Sequence, residues 1–209
     1  MVRILCTDIS SVTEERYRQL YQAASPQRQA RADRCRQFHD ALCCITAEVL
    51  LRQALVDRFG GWEDFSIVRT ELGKPCLEGR QDFHFSISHS GSWVALAWGE
   101  QELGLDIQTV DEKRSTPAFA RRFFTEEEQA WLAVQTHYPL AFTKIWTAKE
   151  SYLKKLGAGL TKSLTSFSVF SPEENIRFHW ETIGCNCLCL CAEDPDYRLD
   201  IIDIKNAPA

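Results

Sequence analysis

The stretch WTAKESYLKKLGAG, Trp146 to Gly159, decides the architecture. At 3.6 residues per turn, Trp146, Lys149, Leu153 and Leu156 fall on neighbouring faces, so a helix from about Leu140 to Leu156 carries a buried stripe. Glu150 and Lys154 are four apart and stack a carboxylate over an ammonium beside that stripe. Further on, CNCLCLC, Cys185 to Cys191, changes the period to two. Alternation puts Cys185, Cys187, Cys189 and Cys191 on one face of a strand, with Leu188 and Leu190 on the other. Paired zinc ligands are normally separated by two residues, not one, and free Cys behaves as a small hydrophobe. A buried strand is therefore expected, and a cysteine-based metal or redox site is the lesser reading. Helix followed by short strands points to an α+β fold.

The first half has the same make-up. A short strand, Arg3 to Cys6, precedes an arginine-rich helical stretch, Thr13 through Arg36, broken at Pro26. A stronger helix runs from about Asp40, its expected N-cap, to Gly60 and Gly61, which stop it. Leu42, Ile45, Val49, Leu50 and Ala54 give it an apolar stripe. Strands are expected at Phe65 to Thr70, Phe83 to Ser88 and Val94 to Trp98. A polar break at Gly99 to Glu102 divides the chain into residues 1–102 and 103–209. The second half opens with a strand, Leu103 to Gln108. A helix capped by Thr125, with Glu128 completing a capping box, comes before the long helix. Strands near Phe167 to Phe170, Ile176 to Glu181, Cys185 to Cys191 and Arg198 to Ile204 close the chain.

The 209 residues are 44% hydrophobic and 25% charged with net charge −5, an ordinary globular composition. The acidic balance argues against a dedicated nucleic-acid binder. No apolar run is long enough to span a bilayer, and the stretch MVRILCTDISS lacks a charged leader, a long apolar segment and a cleavage site, so a cytoplasmic protein is expected. Nine cysteines in such a compartment are expected to stay reduced.

Three stretches are more polar than a core element needs. FSISHSG, Phe85 to Gly91, alternates apolar and hydroxyl residues and ends in His89, Ser90 and Gly91. LGLDIQ, Leu103 to Gln108, buries Asp106 in an apolar strand, where it needs a partner, a metal or water. Asp106 and Gln108 share strand parity and face the same way. The third is the Glu150–Lys154 pair, whose plainest reading is a surface ion pair. A strand aspartate with a helix glutamate can also hold Mg²⁺, which takes one or two carboxylates plus phosphate oxygens. Lysine and histidine nearby would neutralise the phosphate.

Taken in order, these motifs resemble the surfactin-type 4′-phosphopantetheinyl transferases. The chain carries GKP (Gly73 to Pro75), SHSG (Ser88 to Gly91), G-hydrophobic-D (Gly104 to Asp106), FF…E (Phe123, Phe124, Glu128) and W-x-x-K-E-S (Trp146 to Ser151), followed by GAGL (Gly157 to Leu160). The resemblance runs from about Ser25 to Ser168. It implies two pseudo-symmetric subdomains, each a long helix on a small antiparallel sheet, with coenzyme A in the cleft between them. The N-terminal subdomain would take the adenine and 3′-phosphate, and the C-terminal one the metal. The implied reaction moves the phosphopantetheine arm onto a serine of an acyl or peptidyl carrier protein, releasing adenosine 3′,5′-bisphosphate. Asp106 and Glu150 would bind Mg²⁺, with Gln108 as a neutral third ligand and Glu150 as general base. Lys154 and His89 would contact phosphates, and Arg28 and Arg31 the 3′-phosphate. Gly73, Lys74 and Pro75, with Ser88 beside them, would line the adenine pocket, and Glu128 would lie near the metal.

Two departures stand out. Gln108 replaces an acid that many relatives carry, and Cys44 replaces a hydroxyl residue. The tryptophan before K-E-S and the chain length suit the broad-acceptance branch associated with secondary metabolism better than the small trimeric fatty-acid branch, and a monomer is expected. The competing class is a coenzyme A- or carrier-binding module without catalysis, against which intact Asp106, Glu150 and Lys154 argue.

Overall fold

A computed structural model of the chain describes all residues except 63–64, 158, 160–161, 173–174, 194–195, 206 and 208–209. Ala158 and Leu160 of the GAGL motif thus lie outside the described residues. The chain runs β1 (Val2–Asp8), α1 (Glu14–Ala23), α2 (Pro26–Ala32), α3 (Phe38–Phe59), β2 (Ile67–Arg69), β3 (Pro75–Leu77), β4 (His84–Ser90), β5 (Trp93–Gly99) and β6 (Gly104–Thr109). It continues with α4 (Pro117–Phe123), α5 (Glu126–Ala133), α6 (Tyr138–Leu156), a 3₁₀ turn at Leu164–Ser166, β7 (Arg177–Ile183), β8 (Asn186–Ala192) and β9 (Tyr197–Ile201). The class is α+β, as expected.

The helix ends follow local chemistry. Ser25 caps α2 by accepting from the Arg28 N–H, with Pro26 at the first helical position. Thr125 and Glu128 form the capping box that starts α5. Gly60 and Gly157 stop α3 and α6 at φ 81° and 66°, a region that favours glycine. Asp40 is not the N-cap of α3. That position is Gln37, and Asp40 lies in the first turn, where its charge favours the helix dipole.

The two long helices sandwich two sheets. One sheet has the order β4-β5-β1-β9 and the other β6-β8-β7. Leu5, Val94, Leu96 and Phe85 pack against Leu42, Ile45 and Leu50 of α3. The opposite face of that sheet, with Ile4, Cys6, Ala95 and Ala97, meets Leu105, Ile107, Leu188 and Leu190. Cys189 then faces Ile145 and Ala148 of α6. The strand read from the cysteine alternation is therefore buried on both faces. Cys187, Cys189 and Cys191 are inaccessible, whereas Cys185 falls in the preceding turn and is exposed.

Three expectations need correction. The first sheet is mixed rather than purely antiparallel, because β9 pairs parallel with β1, Val2 opposite Tyr197. The C-terminal strand thus belongs to the sheet of the first half. Residues Phe167 to Phe170 form no strand. The Phe167 carbonyl instead accepts from the buried Lys149 ammonium at 2.7 Å, which removes it from ladder pairing. The short helix α4 was not anticipated; its signal is Thr116 as N-cap with Pro117 following.

A seam of serines joins the two sheets. β4 and β6 are both edge strands, and β6 has backbone N–H groups without a ladder partner on its outer side. Ser86, Ser88 and Ser90 accept from the N–H groups of Leu105 (3.0 Å), Ile107 (3.3 Å) and Thr109 (2.9 Å). Alternation along β4 matches alternation along β6, so hydroxyls replace a partner strand and the edge is satisfied. This explains the polar alternation of FSISHS.

Candidate active site

The seam brings Asp106 to its partners. Asp106 is 2% exposed. Its Oδ1 accepts from the Ser88 hydroxyl at 2.7 Å and from Lys154 Nζ at 2.7 Å. Lys154 also donates to Ser88 Oγ at 2.9 Å, closing a triangle between β4, β6 and α6. The expected Glu150–Lys154 pair does not form, because the buried carboxylate of Asp106 is the stronger partner for the ammonium. Glu150 is half-buried one turn earlier. Its carboxyl is pushed above the usual carboxylate range by burial and then by the Asp106 charge, with Lys154 opposing.

β6 can lie this close to α6 only because of Gly104. A methyl group there would sit 1.9 Å from the Ser151 carbonyl oxygen and 2.5 Å from the Lys155 nitrogen. The glycine two residues before Asp106 therefore sets the distance between the strand carboxylate and the helix carrying Glu150 and Lys154.

Gln108 shares the face of Asp106, as strand parity requires. Its Nε2 donates to Asp106 Oδ2 at 3.3 Å, while its Oε1 accepts from the Ser90 hydroxyl at 3.5 Å. The amide thus presents its nitrogen, not its oxygen, to the carboxylate. Beside it opens a cleft of ≈ 640 Å³ bounded by Gln108, Phe119, Phe142 and Trp146. Phe119 and Phe123 each pack edge to face on Trp146.

His89 lies at the end of β4, open to solvent on one side and crowded by protein on the other. Burial of its ring and then the charge of Lys154 lower its pKa from 6.5, with His39 and Arg31 adding to the effect and Asp40 opposing it. Those neighbours place His89, Lys154 and Arg31 around one region. His39 fixes the adjoining turn through its contact with the Gly91 carbonyl, Nε2 to O 2.8 Å.

Arg28 and Arg31 sit on α2, with Arg31 exposed. Arg28 is held from below. Glu48 of α3 accepts from its Nε at 3.3 Å, from the Ser25 N–H and hydroxyl at 2.7 Å each, and from Arg52 at 2.5 Å. The Glu48 carboxylate thereby caps α2 and orients Arg28, leaving the guanidinium edge next to Cys44 Sγ at 3.9 Å. Glu48 was not singled out from the sequence; its only signal was Arg52 four residues on.

The remaining sites divide. Lys74, expected at an adenine pocket, donates to the Leu103 carbonyl at 3.2 Å and the Lys155 carbonyl at 2.9 Å, and pairs with Glu102. Its ammonium closes the C-terminal end of α6, where a cation is favoured. Gly73 occupies the turn before it with φ 89°, and Pro75 begins β3. Glu128, expected near the metal, is instead fully buried against Lys149, Oε2 to Nζ 2.9 Å. It also accepts from the N–H groups of Thr125 and Val169 at 2.8 Å each. Both of its oxygens are engaged within the core, where it ties α5 to α6.

Hard oxygen donors in the Asp106–Glu150 pair suit Mg²⁺. Among the described residues no group of three or more His, Cys, Asp and Glu could hold a metal ion. Two carboxylates therefore leave most of a coordination shell to a bound ligand. The cysteine strand is no alternative, since burial pushes the thiols of Cys187 and Cys189 up and away from the thiolate a metal needs.

Comparison with known proteins shows the family. Residues 102–201 match the 4′-phosphopantetheinyl transferase superfamily, and residues 11–101 match the 4′-phosphopantetheinyl transferase N-terminal family. The chain belongs to the 4′-phosphopantetheinyl transferase superfamily. It is similar to the 4′-phosphopantetheinyl transferase Sfp of Bacillus subtilis (strain 168), 34% identical over 191 residues, covering 81% of this chain and 83% of the relative. The psf-1 transferase of Bacillus pumilus is 32% identical over 197 residues, 91% of this chain and 83% of its own. The protein is a 4′-phosphopantetheinyl transferase of the Sfp type. No helix among the described residues is long and apolar enough to cross a membrane.

Proposed function

We propose that the protein carries out Mg²⁺-dependent transfer of the phosphopantetheine arm of coenzyme A to the serine of an acyl or peptidyl carrier protein. The observation that carries this reading is the triangle of Asp106, Ser88 and Lys154 with Glu150 beside it. It joins two carboxylates and one cation where the two sheets meet. Residues 1–102 furnish the coenzyme side and residues from 103 onward the metal side, as two related helix-on-sheet units. The cleft at their junction receives the substrates.

Asp106 and Glu150 would hold Mg²⁺ on the pyrophosphate, and Gln108 would join them after turning its amide. The ion, when bound, draws charge from the phosphate oxygens. Lys154 neutralises the same oxygens from the helix side. The carrier serine oxygen forms a bond to the pantetheine-bearing phosphorus as the bond to adenosine 3′,5′-bisphosphate breaks. The serine proton passes to Glu150, directly or through a water. Mg²⁺ on the same carboxylate would weaken Glu150 as a base, so a water relaying the proton stands beside direct transfer. Arg28 and Arg31, with His89, meet the 3′-phosphate. Gly73, Pro75, Ser88 and the aliphatic stem of Lys74 border the adenine. A cytoplasmic monomer serving secondary-metabolism carriers completes the reading; nine unpaired cysteines suit a reducing compartment.

The test is mass spectrometry of an apo carrier protein incubated with the enzyme, coenzyme A and Mg²⁺, with the nucleotide product separated in parallel. One phosphopantetheine per carrier, matched by adenosine 3′,5′-bisphosphate and lost with a chelator, is expected. Transfer that continues unchanged after exhaustive chelation would remove the metal from the mechanism.

A further inference from the structure

Three donors cover the Asp106 carboxylate. Oδ1 takes the Ser88 hydroxyl and the Lys154 ammonium at 2.7 Å each, and Oδ2 takes the Gln108 amide at 3.3 Å. The carboxylate is 3% exposed and Lys154 is 31% exposed, so the anion is fixed while its cation can still leave toward solvent. Ser88 is itself pinned by the Ile107 N–H at 3.3 Å and stays with β4. Lys154 extends from the last turn of α6 on a four-carbon stem, and no other acid pairs with it among the described residues. A divalent ion approaching Asp106 meets an ammonium already in the place of a cation.

We propose that Lys154 is a resident counter-ion. It occupies Asp106 in the free protein and moves to the coenzyme pyrophosphate as the metal takes its place, so that metal and coenzyme bind cooperatively. The proposal rests on the reading of Asp106 and Glu150 as metal ligands. The physical argument is an exchange of partners. A buried carboxylate without a cation is costly, so Lys154 satisfies it while no metal is bound. Metal alone must displace the ammonium and leave it without an anion. Metal arriving with a pyrophosphate supplies that anion at the same time. The neutral Gln108 sharpens the effect, because it contributes no charge to hold an ion that comes alone.

The probe is Mn²⁺, followed by electron paramagnetic resonance at pH 8 in protein with and without coenzyme A. Lys154→Met keeps much of the stem and removes the charge, whereas Lys154→Arg keeps a cation. Without coenzyme, Lys154→Met is expected to bind Mn²⁺ roughly tenfold or more tightly than wild type, the scale of one lost charge-assisted contact. Lys154→Arg should stay weak. The gain in Mn²⁺ affinity caused by coenzyme A should shrink in Lys154→Met. Equal or weaker Mn²⁺ binding by Lys154→Met, in a protein that binds Mn²⁺ with coenzyme present, overturns the counter-ion role and leaves the metal site standing. No Mn²⁺ binding by wild type in either condition overturns both. A readout on wild type alone protects against a variant that folds poorly. The Lys154 side chain should give a ¹³Cε signal that moves when Mg²⁺ and coenzyme A are added together. A signal that never moves overturns the exchange.

Discussion

Lys149 Nζ lies 2.9 Å from Glu128 Oε2 with both side chains fully buried, on the face of α6 next to the one that carries Glu150. The same ammonium donates to the carbonyls of Leu164 at 2.6 Å and Phe167 at 2.7 Å. The pair therefore ties α5, α6 and the 3₁₀ turn together, and every charge has hydrogen-bonding company. The K-E of the K-E-S motif thus divides its work: Lys149 organises the interior and Glu150 faces the site.

Breaking that pair from one side should be severe. Lys149→Met strips the cation from a buried carboxylate and is expected to cost about 3–5 kcal/mol. Combining it with Glu128→Gln removes the stranded charge and should recover part of the loss. Urea unfolding of the three variants measures both. A single variant within about 1 kcal/mol of wild type would mean the pair contributes nothing the core needs.

Gly104→Ala drives a methyl group to 1.9 Å from the Ser151 carbonyl oxygen, so strand and helix must separate. Overpacking of this kind costs about 1–3 kcal/mol, and backbone is the obstacle rather than a flexible side chain. The expected signature is double: a lower melting temperature and a turnover loss larger than the stability loss explains. Separation also lengthens the reach from Lys154 to Asp106. Wild-type activity in a folded variant would show that this spacing is not critical.

Much of this site was legible because its parts obey local periodicity. Strand parity joined Asp106 to Gln108, and helical spacing put Glu150 and Lys154 on one face. What the sequence hid was partner choice. An (i, i+4) pair looks self-sufficient, yet Lys154 bonds to Asp106, forty-eight positions away, because burial strengthens that carboxylate's demand. Glu128 misled for the opposite reason. Its capping-box role was visible, but its second partner, Lys149, lies on another helix. Likewise the parallel pairing of β9 with β1 depends on a long-range return of the chain that no local pattern encodes.

Glu150→Gln preserves shape while removing a charge from metal binding and from proton transfer. Turnover should fall by roughly 10²-fold or more, the range of a lost general base. Coenzyme A binding without Mg²⁺ should change little, because in the proposed site Glu150 acts on the coenzyme through the metal. Single-turnover kinetics with an apo carrier, beside calorimetry of coenzyme binding, separates the two. Full turnover in the variant would reduce Glu150 to a half-buried acid without a role.

Arg28 and Arg31 are separable from the rest because Glu48 keeps Arg52 when Arg28 is removed. Arg28→Ala with Arg31→Ala should weaken coenzyme A by about tenfold or more and dephospho-coenzyme A much less. Titration of both ligands into both proteins decides it. Equal weakening would move the arginines to general attraction of acidic partners.

His89 offers a pH handle. Burial and then Lys154 lower its pKa from 6.5, so the folded chain holds this proton less tightly than the unfolded chain. Above 6.5 both states are neutral and the residue costs nothing. As pH falls through the window from 6.5 to the lowered folded value, the unfolded chain binds more protons and stability declines. Below that window the full penalty is present. Nuclear magnetic resonance titration should therefore place the His89 midpoint below 6.5. Lys154→Met should move it up by removing a positive neighbour, and Asp40→Asn should move it further down. His89→Gln should flatten the stability slope in the same window. A midpoint at or above 6.5 in wild type would show that His89 already has an anionic partner in the free protein.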